Sequence, residues 1–443
     1  MSRRGGGIDA DARCRPARLP GTLFTSTSGH TGRRPSVISQ TAPPPQTPGF
    51  RAATLASYLV FAACGVLSAS WPARIPQLRD HLHLQPSTLG WVLLAAAVGS
   101  FASRPLSAPI VARLGQRSTA TAAAILACLG LIVVGVGDMT GLAVLLTGLL
   151  IIGLSGSTWD VVMNVQGVEV ERSLGRSIMP RFHAAFAAGT VAGAAVAIAM
   201  VARQVPVAVH LTLIAVIVAL AVPLAARHYL TEPQHQQTSD KAIASTPRSG
   251  GSALRAWGES RTLLIGLFVL TFAFAEGSAN DWIGVALIDG HHTVAAVGTV
   301  GYAIFLAALT AARWFGASLL DRYGRVRTLR ALGILTIVSL LLFILGPNTP
   351  IALAGLALWG AGTAFGYPVG MSAGADDPRY AASRVAVIST IGKLATFAGP
   401  PLIGFVGDRV TVLHALLVVA ALQAVALLIA GATRPLPAAV KDA

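Results

Sequence analysis

Between Ala52 and Ala430 the chain repeats one pattern about twelve times, a run of roughly twenty apolar residues followed by a short polar connection. A hydrocarbon layer about 30 Å thick is crossed by about 20 residues of α-helix rising ~1.5 Å each. Runs at 52–70, 88–110, 119–137, 141–165, 182–202, 208–226, 262–287, 295–318, 329–346, 350–373, 385–407 and 411–431 all fit that length. Lipid is the expected solvent, because 54% of the residues are hydrophobic and only 12% charged. The expected fold is an all-α integral membrane protein with twelve transmembrane helices in two six-helix bundles.

The remaining composition excludes several classes. Cys14, Cys64 and Cys128 form no CxxC pair, so redox and zinc readings lack support. A net charge of +15 hints at nucleic acid, but the arginines are spread over short loops with no folded basic domain to hold a groove. No GxxxxGK[ST], HExxH or GxSxG pattern occurs, which argues against a nucleotide-driven pump and against an enzyme. Neither cofactor nor metal is expected.

Residues 1–50, rich in Arg, Gly, Ser and Pro without an apolar core, read as a disordered cytoplasmic arm and not as a cleaved signal peptide. Residues 227–260 read as a polar linker between a bundle over 51–226 and a second over 261–432, with a cytoplasmic tail over 433–443. Arginines set the orientation. With the N-terminus inside, Arg113, Arg117, Arg172, Arg176, Arg181, Arg322, Arg325, Arg327, Arg330 and Arg379 fall in the cytoplasm, against Arg74, Arg79, Arg203 and Arg409 outside. Both termini are expected to be cytoplasmic, in the inner (plasma) membrane. The first outer loop conflicts with that count through Arg74 and Arg79, and its Trp71 suits an interfacial anchor.

The halves echo each other. APIVARLGQR (Ala108 to Arg117) follows the second run and ASLLDRYGRVR (Ala317 to Arg327) follows the eighth. The pair resembles the G-x-x-x-D-R-x-G-R-R signature of the major facilitator superfamily. The second copy keeps Asp321, Arg322, Gly324 and Arg325; the first retains Arg113, Gly115 and Arg117 but has Ala112 at the acidic position. An acid at a helix end, a glycine turn and arginines suit a charge-assisted clamp, so these residues are candidates for a cytoplasmic gate. The alternative is that short cytoplasmic loops collect arginines for topology alone.

DVVMNVQGVEVERSLGRSIMPRFH (Asp160 to His183), AEGSANDW (Ala275 to Trp282) and GPPLIGFVGD (Gly399 to Asp408) resemble the YbjJ-like branch of that superfamily, distantly related to the fucose-permease group. Ala184 and Lys393 depart from its pattern. The resemblance implies a transport function without naming a substrate. Gly189 and Gly193 suit close packing of the fifth helix, and Gly399 with Pro400 and Pro401 is expected to break the eleventh.

Ionisable groups inside a bilayer cost several kcal/mol and mark pathways or buried pairs. Lys393 falls near the midplane of the eleventh helix, needing an anionic substrate, water or a fixed pair with Glu276 of the seventh. Asn280 lies one turn beyond Glu276, and Asp281 reads as a helix-end contact. Asp160 and Asn164 share a face of the fourth helix, Glu169 and Glu171 read as partners for Arg172 or Arg176, and His183 opens the fifth helix as a titrating or merely interfacial group. Arg104 and Arg313 must pair or snorkel. The exposed-looking pair His291 and His292 is no metal site. Trp91, Trp314, Trp359 and Tyr367 wall a cavity or face lipid.

Together these residues suggest a secondary transporter, a symporter moving a small polar or anionic molecule by alternating access with protons. The alternative is an exporter of amphipathic drugs or toxic metabolites. Expected partners are the small-molecule substrate, the lipid bilayer and protons, with no nucleic acid, and the chain is expected to be monomeric.

Overall fold

The computed structural model describes residues 48–174, 178–230, 255–377 and 380–436. The arm to residue 47, the linker over 231–254, the tail from 437, Arg176 and Arg379 lie outside the described residues. Every regular element among the described residues is helical. The spans are α1 Pro48–Ser70, α4 Leu142–Leu174, α5 Met179–Ala202, α6 Val207–Ala226, α7 Ser260–Gly290, α8 Ala295–Phe315, α9 Arg325–Leu345, α10 Thr349–Gly374, α11 Ala381–Gly407 and α12 Val412–Thr433. Between α1 and α4 runs one helix of 55 residues, Pro86–Thr140, which turns at Gly115. It therefore forms two spans, α2 over 86–114 and α3 over 116–140, and the chain crosses twelve times.

The turn explains the glycine. Gly115 has φ 75° and ψ 163°, and Gly324, between a short helix Ala317–Tyr323 and α9, has φ 75° and ψ 161°. That backbone region is essentially closed to residues with a Cβ. The same bend at the same place in each half is the structural form of the sequence repeat. Helix pairing repeats as well: α1 packs on α5 and α6 while α3 packs on α6, and correspondingly α7 packs on α11 and α12 while α9 packs on α12.

Each half has its own core. Phe61, Leu131, Leu149, Trp159, Phe182 and Leu211 bury against one another in the first. Phe268, Phe272, Trp282, Phe305, Phe343 and Trp359 do so in the second. Lipid gives helices no hydrophobic reason to associate, so close backbone approach carries the packing. A Cβ on Gly189 or Gly193 would run into the backbone of Ala62 or Val66 on α1.

Several local expectations change. The α1–α2 connection is no open loop: it holds a 3-10 turn Pro72–Arg74 and a two-turn helix Ile75–His81. Trp71 is half-buried against both cores, so it is no interfacial anchor. α11 continues through Pro400 and Pro401, and the interruption falls instead in α10, at Ala364 and Phe365. α4 extends to Leu174, placing Glu169 and Glu171 on helix. Glu171 accepts from the backbone amides of Ile178 and Met179 at 2.7 Å each, satisfying two free N–H groups where α5 begins. His291 is half-buried, with Nε2 2.7 Å from the carbonyl of Phe343. Trp359 faces neither cavity nor lipid but the second core.

Replacing Gly324 by Ala should destabilise the purified protein by about 1–3 kcal/mol through backbone strain. Gly277→Ala, where a Cβ meets nothing within 4 Å inside α7, should be neutral or slightly stabilising. Paired thermal melts in detergent check the contrast.

Candidate functional site

Twelve crossings place both chain ends on one side, and the inter-bundle hydrogen bonds and backbone approaches found among the described residues gather toward the far side. α2 and α11 touch where a Cβ on Gly90 would lie 2.5 Å from the Pro400 carbonyl oxygen and where Gly404 abuts Pro86. The backbone N–H of Ser87, in the first turn of α2, donates to the Asp408 carboxylate at 3.1 Å. Pro76 of the short helix sits on Gly284 of α7, and Arg79 bonds Asp289 bidentately, one of the two bonds being 2.9 Å. Ala69, Ala73, Ile75, Leu89, Leu93, Ala194 and Ala197, all from the far half of the first bundle, are built into the second core. Arg79, which counted against the orientation rule, thus has a structural partner.

On the chain-end side of these contacts, α7 carries a polar face. On α7, Ala273, Glu276, Gly277, Asn280, Asp281 and Gly284 are only half-buried, while Phe272, Ala275, Ser278, Ala279, Trp282 and Ile283 are buried. That spacing is one helical face turned away from the core. Glu276 lies ~24 Å from the start of α7, near mid-membrane. Arg313 of α8 donates to it at 2.7 Å and, through Nε, to the carbonyl of Ala364 at 3.0 Å. One guanidinium therefore ties α7 and α8 to the interruption of α10. The Lys393–Glu276 pair weighed from the sequence is replaced by this Arg313–Glu276 pair. Asp281 is no helix-end residue, since α7 continues to Gly290. It has no hydrogen bond or ion pair among the described residues.

Facing them, Asn164 of α4 donates to the Asp160 side chain at 3.1 Å and to its carbonyl at 2.8 Å. The charges of Arg104 on α2 and His183 on α5 bear on Asp160 without closing an ion pair. His183 is exposed and edge-on to Phe61, with ring centroids 5.5 Å apart. Arg104 is exposed and Lys393 half-buried, and neither is paired among the described residues. Asp160, Asn164, Arg104 and His183 thus form one cluster, Glu276, Arg313, Asn280 and Asp281 another, and Lys393 lies on α11 without a partner among the described residues.

The gate candidates divide. Arg117 donates twice to the carbonyl of Tyr229, at 2.6 and 3.0 Å, tying α3 to the chain beyond α6. Arg325 bonds Asp376 at 2.6 Å and Ser372 at 3.1 Å, and Arg261 bonds the same Asp376 at 2.9 Å. Asp321, Arg322 and Arg113 are exposed; Asp321 and Arg113 are unpaired among the described residues, and Arg322 lies over the Tyr323 ring. The carboxylate that the second turn's arginine reaches is therefore Asp376 rather than Asp321. It lies 51 residues further along the chain, beyond the reach of any local motif. Arg261, Asp376, Arg384 and Glu259, all missed from the sequence, join the chain-end sides of α7, α9, α10 and α11.

Two helix bundles closed at one end around a central polar cleft define a multi-pass membrane transporter. The sequence matches the family description over residues 56–400, and the chain belongs to the Major Facilitator Superfamily. It is 30% identical over 348 residues to the uncharacterised transporter y4wD of Sinorhizobium fredii, covering 78% of this chain and 89% of that one. Among solved structures it is similar to a variant of the nucleoside transporter NupG, with a TM-score of 0.71 at 14% identity over 87% of this chain and 99% of that one. It is also similar to a variant of the Escherichia coli fucose:proton symporter FucP, with a TM-score of 0.54 at 16% identity over 87% of this chain and 99% of that one.

Glu259, just before α7, accepts from Arg384 Nε at 2.6 Å and from Thr262 at 2.7 Å. The Arg384 guanidinium holds the Glu259 carboxyl below its ordinary value. A group depressed on folding stabilises above its unfolded pKa, about 4.3, and loses that contribution as pH falls through the folded value. The melting temperature of Glu259→Gln should therefore lie below wild type at pH 7, with the gap closing as pH falls below about 4.3.

Proposed function

We propose that this chain is a secondary active transporter that moves a small polar or anionic solute by alternating access, driven by protons as a symporter. The observation that carries the reading is the half-buried polar face of α7, which reaches mid-membrane at Glu276 while the bundles are joined on the far side by Arg79–Asp289 and Ser87–Asp408. Arginine distribution orients the chain ends toward the cytoplasm of the inner membrane, so this is a state open to the inside. Rocking of one bundle against the other about the cleft exposes it outward. The repeated pairing of helices in the two halves supports such rigid-body movement.

Proton coupling falls to carboxylates in the cleft. Glu276 is engaged by Arg313, and Asp281 on the same face carries no such partner. We assign Asp281 as the group that binds a proton facing outward and releases it facing inward, with Asp160 serving the first bundle. The fucose:proton symporter that shares the fold is consistent with this coupling. The chain works as a monomer, since both walls of the cleft come from one polypeptide.

Proteoliposomes test the proposal. At one proton per solute, an inward step of one pH unit drives about tenfold accumulation. Asp281→Asn should retain solute exchange under counterflow while losing pH-driven accumulation. Accumulation unchanged in that variant would remove Asp281 from the proton path, and uptake of lipophilic cations exclusively would replace this reading by the exporter.

A further inference from the structure

The α2–α11 seam ends in two unpaired cations. Going from the far side toward the chain ends, Pro86 meets Gly404, Gly90 meets Pro400, and the Phe101 ring meets Phe397 edge-on at 5.3 Å between centroids. At 100° per residue, Arg104 lies on the α2 face that carries Pro86 and Phe101. Lys393 lies on the α11 face that carries Gly404 and Phe397. The helices run antiparallel, so each cation falls about one turn toward the chain ends from the same aromatic contact, on opposite bundles. Lys393 is unpaired among the described residues, and Arg104 has Asp160 of α4 only as a distant counter-charge.

Two cations facing each other across a seam that must shut repel in a low-dielectric setting. In this state Arg104 is exposed and Lys393 half-buried, where water can screen them. Shutting the cytoplasmic side would bring them together and expel that water, an unfavourable step for the empty protein. An anion lying between a guanidinium and an ammonium reverses the sign of the interaction. We propose that Arg104 and Lys393 together form an anion-binding site, and that a solute bearing a carboxylate or phosphate is the counter-ion that lets the cytoplasmic side close. This rests on the alternating-access reading and narrows its substrate to anions. It assigns coupling a physical origin: the loaded protein closes more readily than the empty one.

Two readouts on the full chain with its native cysteines replaced test the site. Thermal shift is measured with gluconate, succinate and inorganic phosphate against glucose and uridine, on wild type, Arg104→Gln, Lys393→Gln and the double variant. An anion should stabilise wild type, and each single variant should lose affinity by about tenfold or more. The second readout needs no ligand. A cysteine at Thr390, exposed on α11 below Lys393, is alkylated from the cytoplasmic side by a membrane-impermeant maleimide. Lys393→Gln should slow that alkylation without any anion, and Lys393→Arg should restore it. Stabilisation by the uncharged probes alone, an anion response retained in both single variants, or alkylation unaltered by Lys393→Gln would each overturn the proposal. Counterflow of an uncharged solute would then still leave the transporter reading standing, whereas absence of counterflow for every probe would count against that reading itself.

Discussion

Hydrocarbon offers a backbone N–H or C=O no partner, and the rest of this structure follows from that. Each crossing has to satisfy its hydrogen bonds within itself, so the described spans are helical and their connections lie at the two surfaces. Once lipid has replaced water, burial of apolar surface no longer draws helices together. What remains is backbone contact, which is why glycines mark the tightest crossings: Gly189 and Gly193 against α1, Gly366 against the Phe272 ring, Gly90 and Gly404 where the bundles meet. The closure between bundles uses the same device as the packing within them. It differs in being confined to half the membrane thickness, with one ion pair and one capped helix end at its rim.

That difference separates what was legible in the sequence from what was not. The spans were legible because their length is set by the bilayer. The two-fold repeat was legible because a φ of 75° admits few residues besides glycine, so Gly115 and Gly324 are visible as letters. Side-chain partnerships were not. Glu276 meets Arg313 rather than Lys393, and Arg325 meets Asp376 rather than Asp321, because each pairing depends on how a helix is rotated about its axis. Helices that are apolar nearly all round carry little periodicity from which to read that rotation. The misplaced break is similar: Pro400 and Pro401 lie within the far-side seam, where α11 runs on as helix against Gly90 and Pro86, whereas α10 breaks at Ala364, whose carbonyl accepts from Arg313.

Charges inside the spans fall into two kinds by whether their partner lies in the same bundle. Arg313 and Glu276 neutralise each other within the second bundle, so the pair survives any movement of one bundle relative to the other. Arg79 and Asp289 belong to different bundles, so their bond has to break if the far side opens. Arginine in a far-side loop runs against the topological rule, and here it is held by a contact that only one arrangement of the bundles permits. Topology and conformation therefore place competing demands on the same residue type.

The repeated turn shows how far the halves have diverged in means while keeping the same bend. In the first half, Arg117 holds a backbone carbonyl, that of Tyr229. In the second, Arg325 and Arg261 converge on the carboxylate of Asp376. A carbonyl cannot take up a proton at any accessible pH and is present whatever the side chain, so the first clamp is indifferent to acid and to substitution at Tyr229. A carboxylate shared by two guanidiniums is stronger but conditional, since loss of Asp376 by substitution leaves two cations adjacent. The turn of the first half is thus held by a group that no side-chain substitution removes, whereas that of the second depends on Asp376.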